Sequence, residues 1–297
     1  MFDRARSLLG IVVFLGVAWA LCPRERRRAV SWRCVGWGLA LQVVLALLVF
    51  RLRGSERYFT VARDVVNGLL AHAVEGGKMV FGVLGDSTAL GRYFGADSFV
   101  LALQSLIPVI VFFAALMAVL YQIGLMQQVV AFFARIMMRF MGTSGAETLS
   151  AVGNIFLGMT EAPLMIRPYL ERLTRSELFC VMVGGLANSA GTVLAIYVLV
   201  LQDQFPNIAG HLLTASVLSA PACLVIAKLM LPETDQPETA GRADAFAEKA
   251  YSNVLDSLTG GAAEGLKLAL NVIAMLIAAV ALIHLLNAGL SYPARRH

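Results

Sequence analysis

The chain has 297 residues, of which 59% are hydrophobic and only 14% charged, with a formal net charge of +5. An ordinary soluble domain carries about 25% charged residues, so the composition excludes a water-soluble globular protein and indicates an integral membrane protein. The positive excess is arginine lying between apolar runs. No basic stretch is interleaved with aromatics, which excludes a nucleic-acid partner.

The predicted elements are helical throughout: an all-α polytopic membrane protein with about six transmembrane helices, one re-entrant helical hairpin and interfacial amphipathic helices. Residues 7–22 form the first span and 34–50 the second, near the ~20 apolar residues that a bilayer core needs. Between them lie Arg24, Arg26, Arg27, Arg28 and Arg33. The positive-inside rule puts this loop in the cytoplasm and the N-terminus in the periplasm, for a multi-pass protein of the bacterial cytoplasmic (inner) membrane. These two spans, residues 1–57, read as one region.

A second region, 58–141, opens with an amphipathic segment over 58–74, with Val61, Val65 and Leu69 at helical spacing beside Arg63 and Asp64. The glycine-studded stretch after it lacks the GK[ST] ending of a phosphate loop and carries no assignable chemistry. Residues 99–126 form the third span, kinked or started near Pro108. Over 127–140, Gln128, Arg135 and Arg139 share one face opposite Val129, Phe132, Phe133, Ile136 and Phe140. That pattern describes either a basic amphipathic helix on the cytoplasmic interface or a simple extension of the third span.

The third region, 142–297, carries the chemistry. Residues 142–178 are too short and too broken by glycine and proline to span, and enter and leave on one side as a hairpin. They nevertheless hold Asn154, Thr160 and Glu161 among apolar residues. A carboxylate at membrane depth costs about 2.5–3.5 kcal/mol on insertion scales and marks a substrate or ion pathway. Irregular backbone at that depth lines a cavity or is buried in protein. Gly158, Met159, Thr160 and Glu161 offer open backbone, a hydroxyl and a carboxylate, which suits a neutral heterocycle with adjacent N–H donors. Asn154 and the carbonyls of the hairpin tip are hard oxygens suited to sodium. A plainer reading has Asn154 and Thr160 capping the hairpin helices while Glu161 pairs with Arg167.

The next span, 178–201, is small and polar at its centre, at Gly184, Gly185, Asn188, Ser189 and Gly191. It reads as close helix packing through small residues or as a locally unwound helix facing the site. Residues 212–231 cross back. The polar linker PETDQPETAGRADAFAEKAYSN reads as cytoplasmic and mobile, and 253–290 form a final span. Cys22, Cys34, Cys180 and Cys223 show no metal spacing and behave as small hydrophobes.

Several stretches resemble the concentrative nucleoside transporter family, over nearly the whole chain: QSLIPVIVFFAALMAVLYQIGLMQ, GTSGAE, NIFLGMTEAPLMIRPYLERLTRSEL, HLLTASVLSAPACLVIAKLMLPE and GLKLALNVIAMLIA. The resemblance implies a nucleoside symporter driven by a sodium or proton gradient, without other cofactors, with two re-entrant hairpins and assembly as a homotrimer. On the matching positions it implies nucleobase contacts from Gly158, Met159, Thr160, Glu161 and Val193. The same positions imply a sodium site framed by Asn154, Leu157, Asn188 and Ser189. Two residues depart from the pattern. Met159 stands where the family usually has glutamine, and Asn188 where a small residue, usually threonine or serine, is usual. Family members also continue past the span ending near Leu290 with a second hairpin and further spans. The sequence is therefore expected to be a C-terminally truncated member, either a carrier or a non-transporting remnant of one. An intramembrane enzyme using Glu161 is the reading from another class, but no nucleophile–base pair or HExxH accompanies it, and an enzyme is not expected.

Overall fold

The computed structural model describes residues 2–51, 55–95, 100–159, 161–202, 204–241 and 251–291. Its elements are helices: α1 (Phe2–Leu21), α2 (Trp32–Arg51), α3 (Ser55–Phe81), α4 (Ser87–Phe94), α5 (Ile107–Gln122), α6 (Leu125–Met141), α7 (Gly145–Gly153), α8 (Arg175–Ala187), α9 (Gly191–Leu201), α10 (Ile208–Met230) and α11 (Val254–Ser291). Among the described residues, five stretches are long and apolar enough to cross a membrane: Trp32–Arg51, Ala102–Gln122, Arg175–Leu201, Ile208–Met230 and Val254–Ala288. Leu9–Leu21 is a shorter apolar helix. These six match the spans expected from the sequence.

The chain divides into two compact units, each drawing on separated segments. One comprises Met1–Val65, Gly124–Leu194 and Leu201–Lys249. The other comprises Val66–Ile123, Ala195–Val200 and Ala250–His297. In the first, Gly38 of α2 lets α10 approach closely, because a Cβ there would stand 2.2 Å from Val225 Cγ2. Two of the loop arginines close helix ends. Arg27 donates to the carbonyls of Ala20 (3.0 Å) and Cys22 (3.3 Å) at the end of α1. Arg33 donates to those of Arg139 (3.0 Å) and Phe140 (3.2 Å) at the end of α6, satisfying carbonyls that the last turn leaves free.

In the second unit, α5 and α11 pack through small residues. A Cβ on Gly261 would lie 2.6 Å from Ala118 Cβ, and one on Gly265 2.8 Å from Ala114 Cβ. That is the close backbone approach by which membrane helices associate. Leu106, Ile110 and Ala269 form the buried core between them. Pro108 sits in the first turn of α5, after a π-turn over Ala102–Leu106. The glycine-studded stretch gains a structural role here, since Gly77 abuts Pro108 and Gly85 abuts the Gly77 carbonyl. Asp86 caps α4 by accepting from the Thr88 and Ala89 N–H groups, which holds its carboxyl below the usual range.

Two expectations change, for 58–74 and for the linker, and the alternative left open for 127–140 is resolved. The segment over 58–74 is the middle of one longer helix, α3, that continues through Gly76 and Gly77. In α6 the protein-facing side is Met126, Val130, Ala134, Met137 and Met141, while Phe132 and Phe133 point outward. Gly124, at φ +86°, separates α6 from α5, so α6 is a helix of its own and not an extension of the third span. The first part of the polar linker, residues 232–241, is docked: the Thr239 carbonyl and hydroxyl accept from Gly145 N (2.9 Å) and Ala146 N (3.0 Å) at the start of α7. The rest of the linker, 242–250, lies outside the described residues.

Candidate functional site

The hairpin is built from two short, dissimilar limbs. The first, α7, opens with a capping box in which Ser144 N donates to Glu147 Oε1 at 2.8 Å. It ends at Gly153, with Asn154 as its C-cap and Asn154 N donating to the Ser150 carbonyl at 3.0 Å. A tight turn through Ile155, Phe156 and Leu157 follows. The second limb, Ala162–Arg172, is a 3-10 helix with Pro163 in its first turn, Pro168 inside it and non-helical backbone at Ile166. Two prolines and the glycines at 153 and 158 deny this segment a regular α-helix. Gly153 gives the limbs room to touch, since a Cβ there would meet Met165 Sδ at 2.7 Å.

The next span is broken. α8 starts with a second capping box, Thr174 with Glu177, and stops at Ala187. Asn188 is extended (φ −118°, ψ 152°) and the helix restarts as α9 at Gly191. The break lies against the hairpin tip. Gly191 N donates to the Phe156 carbonyl at 2.9 Å. A Cβ on Gly185 would stand 3.0 Å from Met159 Cβ, one on Gly184 3.5 Å from Asn154 Nδ2, and one on Gly158 3.5 Å from Ala190 Cβ. Both sequence readings of this stretch therefore hold: the glycines pack closely, and the residues between Ala187 and Gly191 are unwound.

Four helix ends meet here. The C-termini of α7 and α8, at Asn154 and Asn188, bring two negative dipole ends together. The N-termini of the second limb and of α9 bring two positive ends. Each end carries roughly half an elementary charge, so the junction has one face suited to a cation and another suited to an electron-rich ligand. Asn154 is 1% exposed, and its Nδ2 has no hydrogen-bond partner among the described residues. The same holds for Asn188 Nδ2 and the Thr192 hydroxyl. Glu161 turns back to the tip, its Oε2 accepting from Gly158 N at 3.1 Å. It makes no ion pair with Arg167 among the described residues. A carboxylate has about four acceptor sites, so Glu161 retains capacity for paired N–H donors. Met159 is 60% exposed at the mouth.

Of the residues picked from sequence, Asn154, Gly158, Met159 and Glu161 lie on the tip and the turn, Leu157 between them, and Asn188, Ser189 and Val193 on the break and the first turn of α9. Thr160 lies outside the described residues. Sequence reasoning missed the backing provided by α10. Ser219 hydrogen-bonds to Asn188 Oδ1. Cys223, one turn on, has its Sγ 3.7 Å from the Gly184 Cβ position. The available signal was the i, i+4 spacing of these two small polar residues on a mostly apolar span.

Comparison with known proteins agrees in all parts of the chain. Residues 9–84 match the family model for the Na+ dependent nucleoside transporter N-terminus, 103–204 a nucleoside recognition model, and 211–296 the Na+ dependent nucleoside transporter C-terminus. An uncharacterized transporter of Haemophilus influenzae is 42% identical over 291 residues, covering 96% of this chain and 65% of the relative. The sodium/nucleoside cotransporter 2 of Rattus norvegicus is 39% identical over 287 residues, covering 96% of this chain and 41% of the relative. The structure of CNTnw in an inward-facing substrate-bound state superposes with a TM-score of 0.87 at 39% identity, covering 98% of this chain and 68% of that one. The chain thus spans under two thirds of the length of these two curated relatives.

Proposed function

From the premise that this chain belongs to the sodium-dependent, or concentrative, nucleoside transporter family, we propose that it works as a nucleoside:cation symporter. That family is one of membrane carriers and not an enzyme class. In this reading Gly158, Met159, Thr160, Glu161 and Val193 contact the nucleobase, and Glu161 accepts paired N–H groups at the base edge. Asn154, with Leu157, Asn188 and Ser189, holds the coupling ion, which is sodium. The protein is a homotrimer in the bacterial inner membrane with its N-terminus outside.

The observation that supports this reading is the meeting of two helix C-termini and two helix N-termini around Asn154, Asn188 and Glu161. A cation between negative dipole ends and an uncharged heterocycle against the tip carboxylate bind next to each other, so each raises the affinity of the other. The test is uptake of labelled uridine into vesicles holding the purified chain, under an imposed sodium or proton gradient. The proposal predicts accumulation of unmodified uridine with the sodium gradient. Chemically altered uridine would point to an enzyme, and accumulation with protons alone would reassign the coupling ion.

A further inference from the structure

The two helices that end at the candidate site also begin together, at a buried ionic cluster centred on Lys228. Its Nζ lies 2.7 Å from Glu147 Oε2, 3.1 Å from Glu233 Oε2 and 3.0 Å from Ser176 Oγ. The Lys228 and Glu147 side chains are 8% and 1% exposed. Each partner serves a helix start. Glu147 is the capping-box glutamate of α7. Ser176 is in the first turn of α8 and donates its own hydroxyl to the Leu231 carbonyl at 2.7 Å. Glu233 lies on the docked linker and accepts from Thr174 Oγ1, the N-cap of α8, at 2.8 Å. Thr239 of the same linker closes the remaining N–H groups of α7.

We infer that Lys228 is a positioning residue: it sets where Asn154 and Asn188 stand relative to each other by clamping the N-termini of the two parallel helices that carry them. α7 has 9 residues and α8 has 13, roughly 13 and 20 Å of rigid rod between clamp and site. A lysine with two carboxylates and a hydroxyl holds three separate segments through one atom. Removing it leaves the buried Glu147 carboxylate facing the partly exposed Glu233 carboxylate, which drives the linker and α7 apart. Among the described residues no hydrogen bond or ion pair joins the cluster to the site, so its effect is transmitted through helix position.

The inference rests on the nucleoside and cation reading for its functional consequence but not for its geometry, and the experiment separates the two. Spin labels at the exposed positions Leu164 and Leu186 report the spacing of hairpin and α8 in the full chain, without ligand. Lys228→Met is expected to broaden the distance distribution at least twofold, and to weaken uridine and sodium binding at least fivefold in the folded fraction. Arg172→Ala, which breaks only the exposed pair with Glu238, is expected to leave both as in the wild type. Broadening in a protein whose wild type binds no uridine would sink the functional reading and keep the clamp. An unchanged width with affinities within twofold of wild type would overturn the clamp, as would equal broadening by Arg172→Ala. If Lys228→Met does not fold, Glu233→Gln keeps the Lys228–Glu147 pair and cuts the linker tether. It is expected to broaden the distribution in the same direction, and an unchanged width there overturns the inference.

Discussion

Ser219 Oγ lies within hydrogen-bond reach of both Asn188 Oδ1 and the Ser216 carbonyl, the latter at 2.7 Å. One hydroxyl has one proton, so it cannot donate to both. With the Ser219 hydroxyl donating to the Ser216 carbonyl, the bond to Asn188 requires its amide to be turned by half a turn. Its NH2 then donates to Ser219, and its oxygen is left for a cation. In the proposed cation site, Ser219 would orient Asn188 through this bond. Ser219→Ala removes one hydrogen bond, about 0.5–1.5 kcal/mol. Sodium affinity, read by titration of uridine binding, is expected to fall about threefold to tenfold while uridine affinity at saturating sodium stays unchanged.

Glu161→Gln tests the base contact. The carboxylate caps Gly158 N, and glutamine keeps an oxygen for that bond while presenting a donor where the base needs an acceptor. Unpairing a buried group costs about 1–3 kcal/mol, so uridine affinity is expected to drop at least tenfold. Equilibrium binding of labelled uridine checks it, and an unchanged dissociation constant would take Glu161 out of the site.

Met159→Gln is expected to strengthen binding. The side chain is 60% exposed, so the exchange disturbs no packing. It adds an amide that can pair with the base and is worth about 0.5–1.5 kcal/mol. Competition among labelled nucleosides should show tighter binding by roughly threefold, with the gain differing between pyrimidines and purines.

The orientation follows from arginine placement and is open to labelling. In a background without cysteine, single cysteines at Arg26, Arg172 and Gln236 are expected to react only with a membrane-permeant reagent, and one at Pro206 with an impermeant reagent. Reaction at position 26 from outside would invert the proposed topology.

The hairpin and the broken span were legible in the sequence because their signals are local. Closely spaced glycine at 153 and 158 and proline at 163 and 168 disfavour a regular helix there, and Asn154, Glu161 and Asn188 stand out against apolar neighbours. The Lys228 cluster was not legible, because it joins segments far apart in sequence: Lys228 and Ser176, for example, are separated by 52 residues. The linker reads as mobile by composition because it has little apolar surface. Its hold on α7 is instead a set of hydrogen bonds to helix-end N–H groups that composition does not record. The buried side of α6 was not legible for a different reason. In a membrane protein an apolar face can meet lipid as well as protein, so periodicity finds Phe132 and Phe133 without saying which they face.

The most direct test is sodium dependence of uridine binding, measured in parallel on the purified chain and on Asn154→Ala. Asn154 is buried at the end of α7 beside the break, so it is the residue on which cation and nucleoside binding both depend in this account. The wild type is expected to bind uridine at least tenfold more tightly in saturating sodium than in its absence, and Asn154→Ala to lose that dependence. Uridine binding that ignores sodium in the wild type, or that keeps its full sodium dependence in Asn154→Ala, would contradict the account.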